Sequence, residues 1–123
     1  MQIKKYITLI FIVSLSAATE ANTFSPGWVE GVPKSIQKSD FNGKSLIFIE
    51  MESPVNTNAN CYSNGGIVIE DSNESSQAAM TFSLTALVSG KTFSCYINEG
   101  RCSQITGSAA TFPVCDYYPR IKK

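Results

Sequence analysis

Four cysteines, Cys61, Cys95, Cys102 and Cys115, constrain this chain most, because the segment ahead of them assigns them to an oxidising compartment. Residues 1–21 (MQIKKYITLIFIVSLSAATEA) read as an export signal. Lys4 and Lys5 form a positive n-region, Tyr6 to Ala18 an apolar core, and Thr19 and Ala21 are small residues suited to a peptidase site. Cleavage is expected after Ala21, with Ala18 as the alternative. The apolar core is too short to cross a bilayer comfortably and no second apolar segment follows it, so no membrane anchor is expected. Disulfides persist outside the cytosol, and an even cysteine count in a short exported chain reads as two bridges with no free thiol. Residues 22–123 then form one disulfide-bonded domain, periplasmic or secreted, whose thin core gains from covalent staples.

Charge and composition exclude several classes of function. Lys4, Lys5 and Glu20 leave with the signal, so eight basic residues face nine acidic ones. No basic run exceeds Lys122-Lys123, which argues against a nucleic-acid binder, whose affinity rests on many Lys and Arg contacts to phosphate. The chain contains no histidine. That removes Ser-His-Asp and Cys-His nucleophiles, and with them the usual neutral-pH base. It also removes the commonest nitrogen ligand of zinc, and no CxxC pair compensates.

The carboxylates offer little more. Glu50 and Glu52 would share one strand face, but nothing apolar beside them would raise a pKa, and they read as solvated. Glu70, Asp71 and Glu74 lack the alternation of a calcium loop and are explained by the dipole of a following helix. Gly65-Gly66 is a turn and not a phosphate loop. Asn73-Glu74-Ser75 matches a glycosylation acceptor, which matters only in a eukaryotic secretory pathway. No residue is assigned a catalytic, cofactor or metal role, and the chain is expected not to be an enzyme.

The pattern of elements is mainly β. Trp28 to Phe41, interrupted by Pro33, reads as an irregular or edge strand. Asn42-Gly43 is a hairpin turn, and Lys44 to Glu52 (Leu46, Ile47, Phe48, Ile49, Met51) is a strand buried partly on both faces. Ser53 to Asn60 is a loop, followed by a short strand at Ile67-Val68-Ile69. Asn73 or Ser75 is placed to cap a helix over 75–89, which Gly90 ends. Its Met80, Leu84 and Leu87 read as a core-facing stripe. Thr92 to Ile97 is a strand, Arg101 to Ala110 a loop carrying Cys102, and Phe112 to Ile121 the last strand.

Five strands with one helix between the third and fourth is the order of the OB-fold, a partly open barrel. An α+β sandwich with the helix over one sheet is the alternative. Cys95 and Cys115 fall at the middles of consecutive strands and would pair across them, leaving Cys61 with Cys102; the other two connectivities stay open.

The remaining chemistry is aromatic. Trp28, Tyr62, Tyr96, Tyr117 and Tyr118 are flat apolar bodies, four of them with a phenolic tip, useful for sugar or protein recognition. Trp28 is expected to pack into the fold. Consecutive Tyr117 and Tyr118 should point to opposite faces of a regular strand, so one of them is exposed. Tyr117, Tyr118 and Trp28 are therefore the candidate ligand contacts.

The segment AAMTFSLTALVSGKTFSCYINEGRC, residues 78–102, resembles the helix, Ser-Gly-Lys turn, strand and Gly-Cys ending of small exported bacterial OB-fold proteins. These include the binding subunits of pentameric AB5 toxins of the subtilase cytotoxin and pertussis-like type. As an order of elements the resemblance extends over residues 28–121. It implies a glycan-recognising B subunit, a homo-pentamer and a separate toxic A chain as partner. A second expectation stands beside it, a monomeric exported interaction module such as an inhibitor or envelope factor with a protein partner. The mass of the assembled protein separates the two.

Overall fold

Asn42 and Gly43 both hold positive φ, 53° and 77°, and close a two-residue turn between β2 (Pro33–Phe41) and β3 (Lys44–Met51). Pairing runs from Phe41 opposite Lys44 to Pro33 opposite Met51, the geometry that an Asn-Gly turn imposes on a hairpin. The computed structural model describes residues 24–123, so the export signal read at 1–21 lies outside the described residues. β4 (Gly66–Glu70) adds to the other side of β3 and completes a sheet in the order β2-β3-β4.

The stretch from Trp28 to Phe41 is two strands rather than one. β1 (Gly27–Gly31) pairs with β5 (Thr92–Ile97), which pairs in turn with β8 (Tyr117–Lys122), giving a second sheet in the order β1-β5-β8. The break falls at Val32, whose carbonyl accepts from the Glu52 amide (2.9 Å), and Pro33, with no N–H to donate, begins the strand of the other sheet. The expected loop at 101–110 contains β6 (Cys102–Gln104), and this strand pairs with β7 (Thr111–Pro113).

The expected last strand is likewise divided. Between β7 and β8 three successive amides change partner: Val114 donates to Arg101, Cys115 to Val68 and Asp116 to Tyr96, at 2.9–3.0 Å. The segment thus steps from the small hairpin to one sheet and then to the other. Among the described residues the fold is mainly β with one helix, and its sheets do not close into a barrel. A single parallel bridge, Val68 with Val114, joins the 111–122 region to β4.

Two apolar clusters explain why β3 is buried on both faces. Val29, Ile47, Ile49, Ile67, Ile69, Phe93 and Ile97 fill the space between the two sheets, together with Ala79 and Ala86 from the helix. Leu46, Phe48 and Val68 pack on the opposite side against Ile105, Phe112 and Val114, with the Phe48 and Phe112 rings 4.6 Å apart. The β6–β7 hairpin is therefore the cover of a second core.

The helix α1 spans Ser76–Ser89 and ends at Gly90, whose φ of 70° is the left-handed cap that glycine adopts without strain. At its start the Asn73 side chain accepts from the Ser75 amide (2.8 Å), while Ser75 makes no side-chain cap. The expected core stripe is corrected at Leu84, while Met80 packs partly buried against the core and Leu87 is half-buried. Leu84 is 45% exposed and Val88 84%, and the buried residues are Ala79, Ser83 and Ala86. These lie four and three positions apart, one face of a helix. Small side chains there let the helix settle close to its neighbours, and the Ser83 hydroxyl is satisfied by the Met80 carbonyl (3.1 Å).

Two disulfides lock these layers. Cys95 of β5 joins Cys115, and Cys61 joins Cys102 of β6, with Cα separations of 6.0 and 5.6 Å. Cys115 lies in the crossing segment before β8 and not at mid-strand. Among the described residues no helix is long and apolar enough to cross a membrane.

Candidate functional site

The outer face of the β1-β5-β8 sheet collects the aromatic residues. Alternation sends Val29, Phe93, Cys95 and Ile97 inward, which leaves Trp28, Glu30 and Tyr96 for the opposite side. Register then sets Trp28 opposite Tyr96, and Tyr96 opposite Tyr117. The Trp28 and Tyr96 rings meet edge to face at 5.6 Å, one of the geometries that aromatic quadrupoles favour. Beneath them Ser94 is fully buried and donates its hydroxyl to the Val29 carbonyl (3.0 Å).

Tyr118 departs from the expected alternation. Its φ is +58°, in the left-handed region, beside an irregularity in the β5–β8 register between Ser94 and Tyr96. A bulge of this kind re-aims side chains. Both tyrosines are consequently exposed, Tyr117 at 46% and Tyr118 at 64%, with rings 5.5 Å apart. The expectation that only one of them reaches solvent fails because it assumed a regular strand. Tyr118 also approaches Trp28 (6.1 Å) and Tyr96 (6.2 Å). Trp28, expected to pack inside, is 43% exposed. The three candidate contacts, Trp28, Tyr117 and Tyr118, thus stand together on one surface. Tyr62 belongs elsewhere: it is 85% exposed and its amide bonds Thr111 of β7 (2.9 Å).

Arg120 is the member that sequence reasoning missed. Its guanidinium lies 3.8 Å over the Trp28 ring, a cation–π contact that fixes both groups. The pairing of Ser94 with Arg120 places it there. Only the bulged register makes this visible, and a sequence pattern does not carry it. Further along the same face Lys122 reaches across to Glu30 (2.7 Å).

A shallow groove of about 250 Å³ opens beside Trp28, between the start of β1 and the loop 53–60. Ser25, Asn56, Thr57 and Asn58 line it. Buried Val55 and Ala59 anchor the loop at either end, and the Ser25 amide donates to the Asn58 side chain (3.3 Å). In the sequence this loop reads only as a polar turn-rich connection.

Several ionic groups elsewhere are paired with one another. Arg101 contacts Glu70 (2.6 Å), Asp116 (2.9 Å) and Glu99 (3.0 Å). Burial opposes its charge, but the hydrogen bonds with Glu70 and Asp116 outweigh it and hold the guanidinium above its ordinary range. The second oxygen of buried Asp116 accepts from the Asn98 and Glu99 amides at 2.7 and 3.1 Å, so this carboxylate shapes the turn after β5. Asp71 accepts from Lys38, and that bond, with a smaller contribution from Ser45, holds its carboxyl below the usual range. Glu50 accepts from the Ser35 hydroxyl (2.9 Å). Among the described residues no three His, Cys, Asp or Glu side chains are grouped to hold a metal ion.

Compared with protein-family models, curated proteins and solved structures, the chain matches none.

Proposed function

We propose that this chain is an exported, non-catalytic recognition protein that takes a glycan on the outer face of its β1-β5-β8 sheet. One observation carries the reading: exposed Trp28, Tyr117 and Tyr118 gather around half-buried Tyr96, with Arg120 stacked on the tryptophan. Such rings present flat apolar area with polar tips at low cost in side-chain entropy. A sugar ring, with an apolar C–H face and a rim of hydroxyls, is the complement of that surface. The two disulfides accord with export, because bridges persist in the periplasm and outside the cell.

The fold reading that goes with it is an OB arrangement. Taken as one bent strand, β1 and β2 would run through both sheets. The order β2-β3-β4, the parallel bridge from Val68 to Val114, and the order β8-β5-β1 then form a ring held at one point by that bridge. Together with the sequence resemblance over residues 78–102, this supports a toxin-type B subunit that assembles in fives beside a separate A chain. The helix suits such assembly, since Ser76–Ser89 contains no charged residue and leaves Leu84 and Val88 in the open.

A second reading, a monomeric module that meets a protein partner, draws on the same surface. Trp, Tyr and Arg also dominate the energetics of protein interfaces. Light scattering on the mature protein, combined with a glycan array, decides between them. A mass five times the monomer with array binding that Tyr118→Ala removes supports the glycan reading. A monomer that binds no glycan overturns it in favour of the second.

A further inference from the structure

We infer that the groove beside Trp28 is the seat of a single uncharged pyranose unit, stacked on the indole and hydrogen-bonded by the 56–58 loop. This deepens the glycan reading above and rests on it. Three observations point to it.

The lining chemistry comes first. The groove's polar side chains are those of Ser25, Asn56, Thr57 and Asn58, and its ring is Trp28; no charged residue lines it. Amide and hydroxyl groups match the alternating donors and acceptors of sugar hydroxyls. A carboxylate or sulfate placed here would lose water without gaining a cation, which is strongly unfavourable.

Size is the second. About 250 Å³ lies below the 300 Å³ at which pockets for drug-sized ligands begin, which suits one ring and not a disaccharide buried whole.

Preorganisation is the third. Arg120 lies over the indole at 3.8 Å, Tyr96 meets it edge-on and Tyr118 approaches it at 6.1 Å, so the ring is held in place where it lines the groove. Opposite it the loop is pinned by buried Val55 and Ala59 and by the bond from Ser25 to Asn58. Thr57 adds an internal bond, its hydroxyl accepting from the Ala59 amide (3.2 Å). Groups already fixed in place lose little freedom on binding.

Trp28 is the chain's single tryptophan, so its emission reports the groove and the rings beside it, and a groove variant ties any change to the groove. Methyl α-mannoside, methyl β-galactoside and N-acetylglucosamine serve as neutral probes, with glucuronate as the charged control. The expected result is a saturable emission change with at least one neutral probe and none with glucuronate. Asn56, exposed and outside the core, is the variant of choice. Asn56→Ala should melt like the parent and weaken binding about five- to tenfold, the effect of one or two lost hydrogen bonds.

No response to any neutral probe overturns the inference. So does glucuronate binding as tightly as the neutral probes, or an unchanged affinity in Asn56→Ala. The glycan array separates the two levels. Array binding lost in Tyr118→Ala but intact in Asn56→Ala sinks the groove and leaves glycan recognition standing. A blank array sinks both.

Discussion

The two three-stranded sheets are built to opposite ends. The β2-β3-β4 sheet is covered on both faces, by the other sheet and helix on one side and by the β6–β7 hairpin on the other. The β1-β5-β8 sheet buries its inner face and leaves Trp28, Tyr117 and Tyr118 exposed on the other. In a domain this small, almost every large apolar group is needed inside. The exposed rings of Trp28, Tyr117 and Tyr118, gathered around half-buried Tyr96, are the observation on which the proposed glycan reading rests.

The contrast is testable by truncation, and the largest effects should come from the covered faces. Phe48→Ala and Phe93→Ala each remove a ring from a buried position, and each should cost about 3–5 kcal/mol in urea unfolding. A loss as large for Trp28→Ala would break the comparison by making the outer face part of the core.

The disulfides come next. Loss of either bridge should cost about 2–5 kcal/mol, and denatured, unreduced protein should show no reactive thiol, since no free cysteine is present. The bridges should differ in access. Cys102 is exposed, whereas Cys95 and Cys115 are buried at 1% and 4%. Mild reductant on the folded protein should open Cys61–Cys102 first, and peptide mapping of alkylated products would reveal the reverse order if burial is not the control.

The helix gives a smaller and directional effect. Ala86→Leu, forced into a site with no exposure, should destabilise by about 1–3 kcal/mol. Leu84→Ala, nearly half exposed, should cost less than about 1 kcal/mol. Thermal melts of the pair would reverse the assignment of the helix face if Leu84→Ala proved the worse.

The smallest change in stability is expected on the outer aromatic face. Tyr118→Ala should alter unfolding by no more than about 0.5 kcal/mol while removing any ligand signal. A variant such as Tyr118→Gly should melt no lower than Tyr118→Ala, because glycine adopts the positive φ at this position without strain.

Local chemistry was legible wherever it acts through neighbours in sequence. The Asn42-Gly43 turn, the helix and its Gly90 cap follow from residues a few positions apart. What depends on distant pairing was not legible. The division of residues 28–41 arises because β1 and β2 find partners in different sheets. The helix face was misjudged because size was read as burial, whereas close approach selects Ala79, Ser83 and Ala86 over Leu84. The rings could be named from the sequence as candidates, but not assembled. Their meeting depends on a positive φ at Tyr118 and on Arg120, neither of which has a local signature.

The step of three amides at residues 114–116, each bonded to a different element, has a consequence for the order in which the protein can form. A chain delivered N-terminus first has β1 to β5 available long before this segment arrives. Until it does, β8 is missing from its sheet and Cys95 has no partner. The contacts that complete the domain thus involve its last residues to emerge, whereas the strand pairing most distant in sequence, β1 with β5, can already be made. A chain passing through a narrow channel must stay unfolded until it is through, and this topology withholds the finishing stitch for that long.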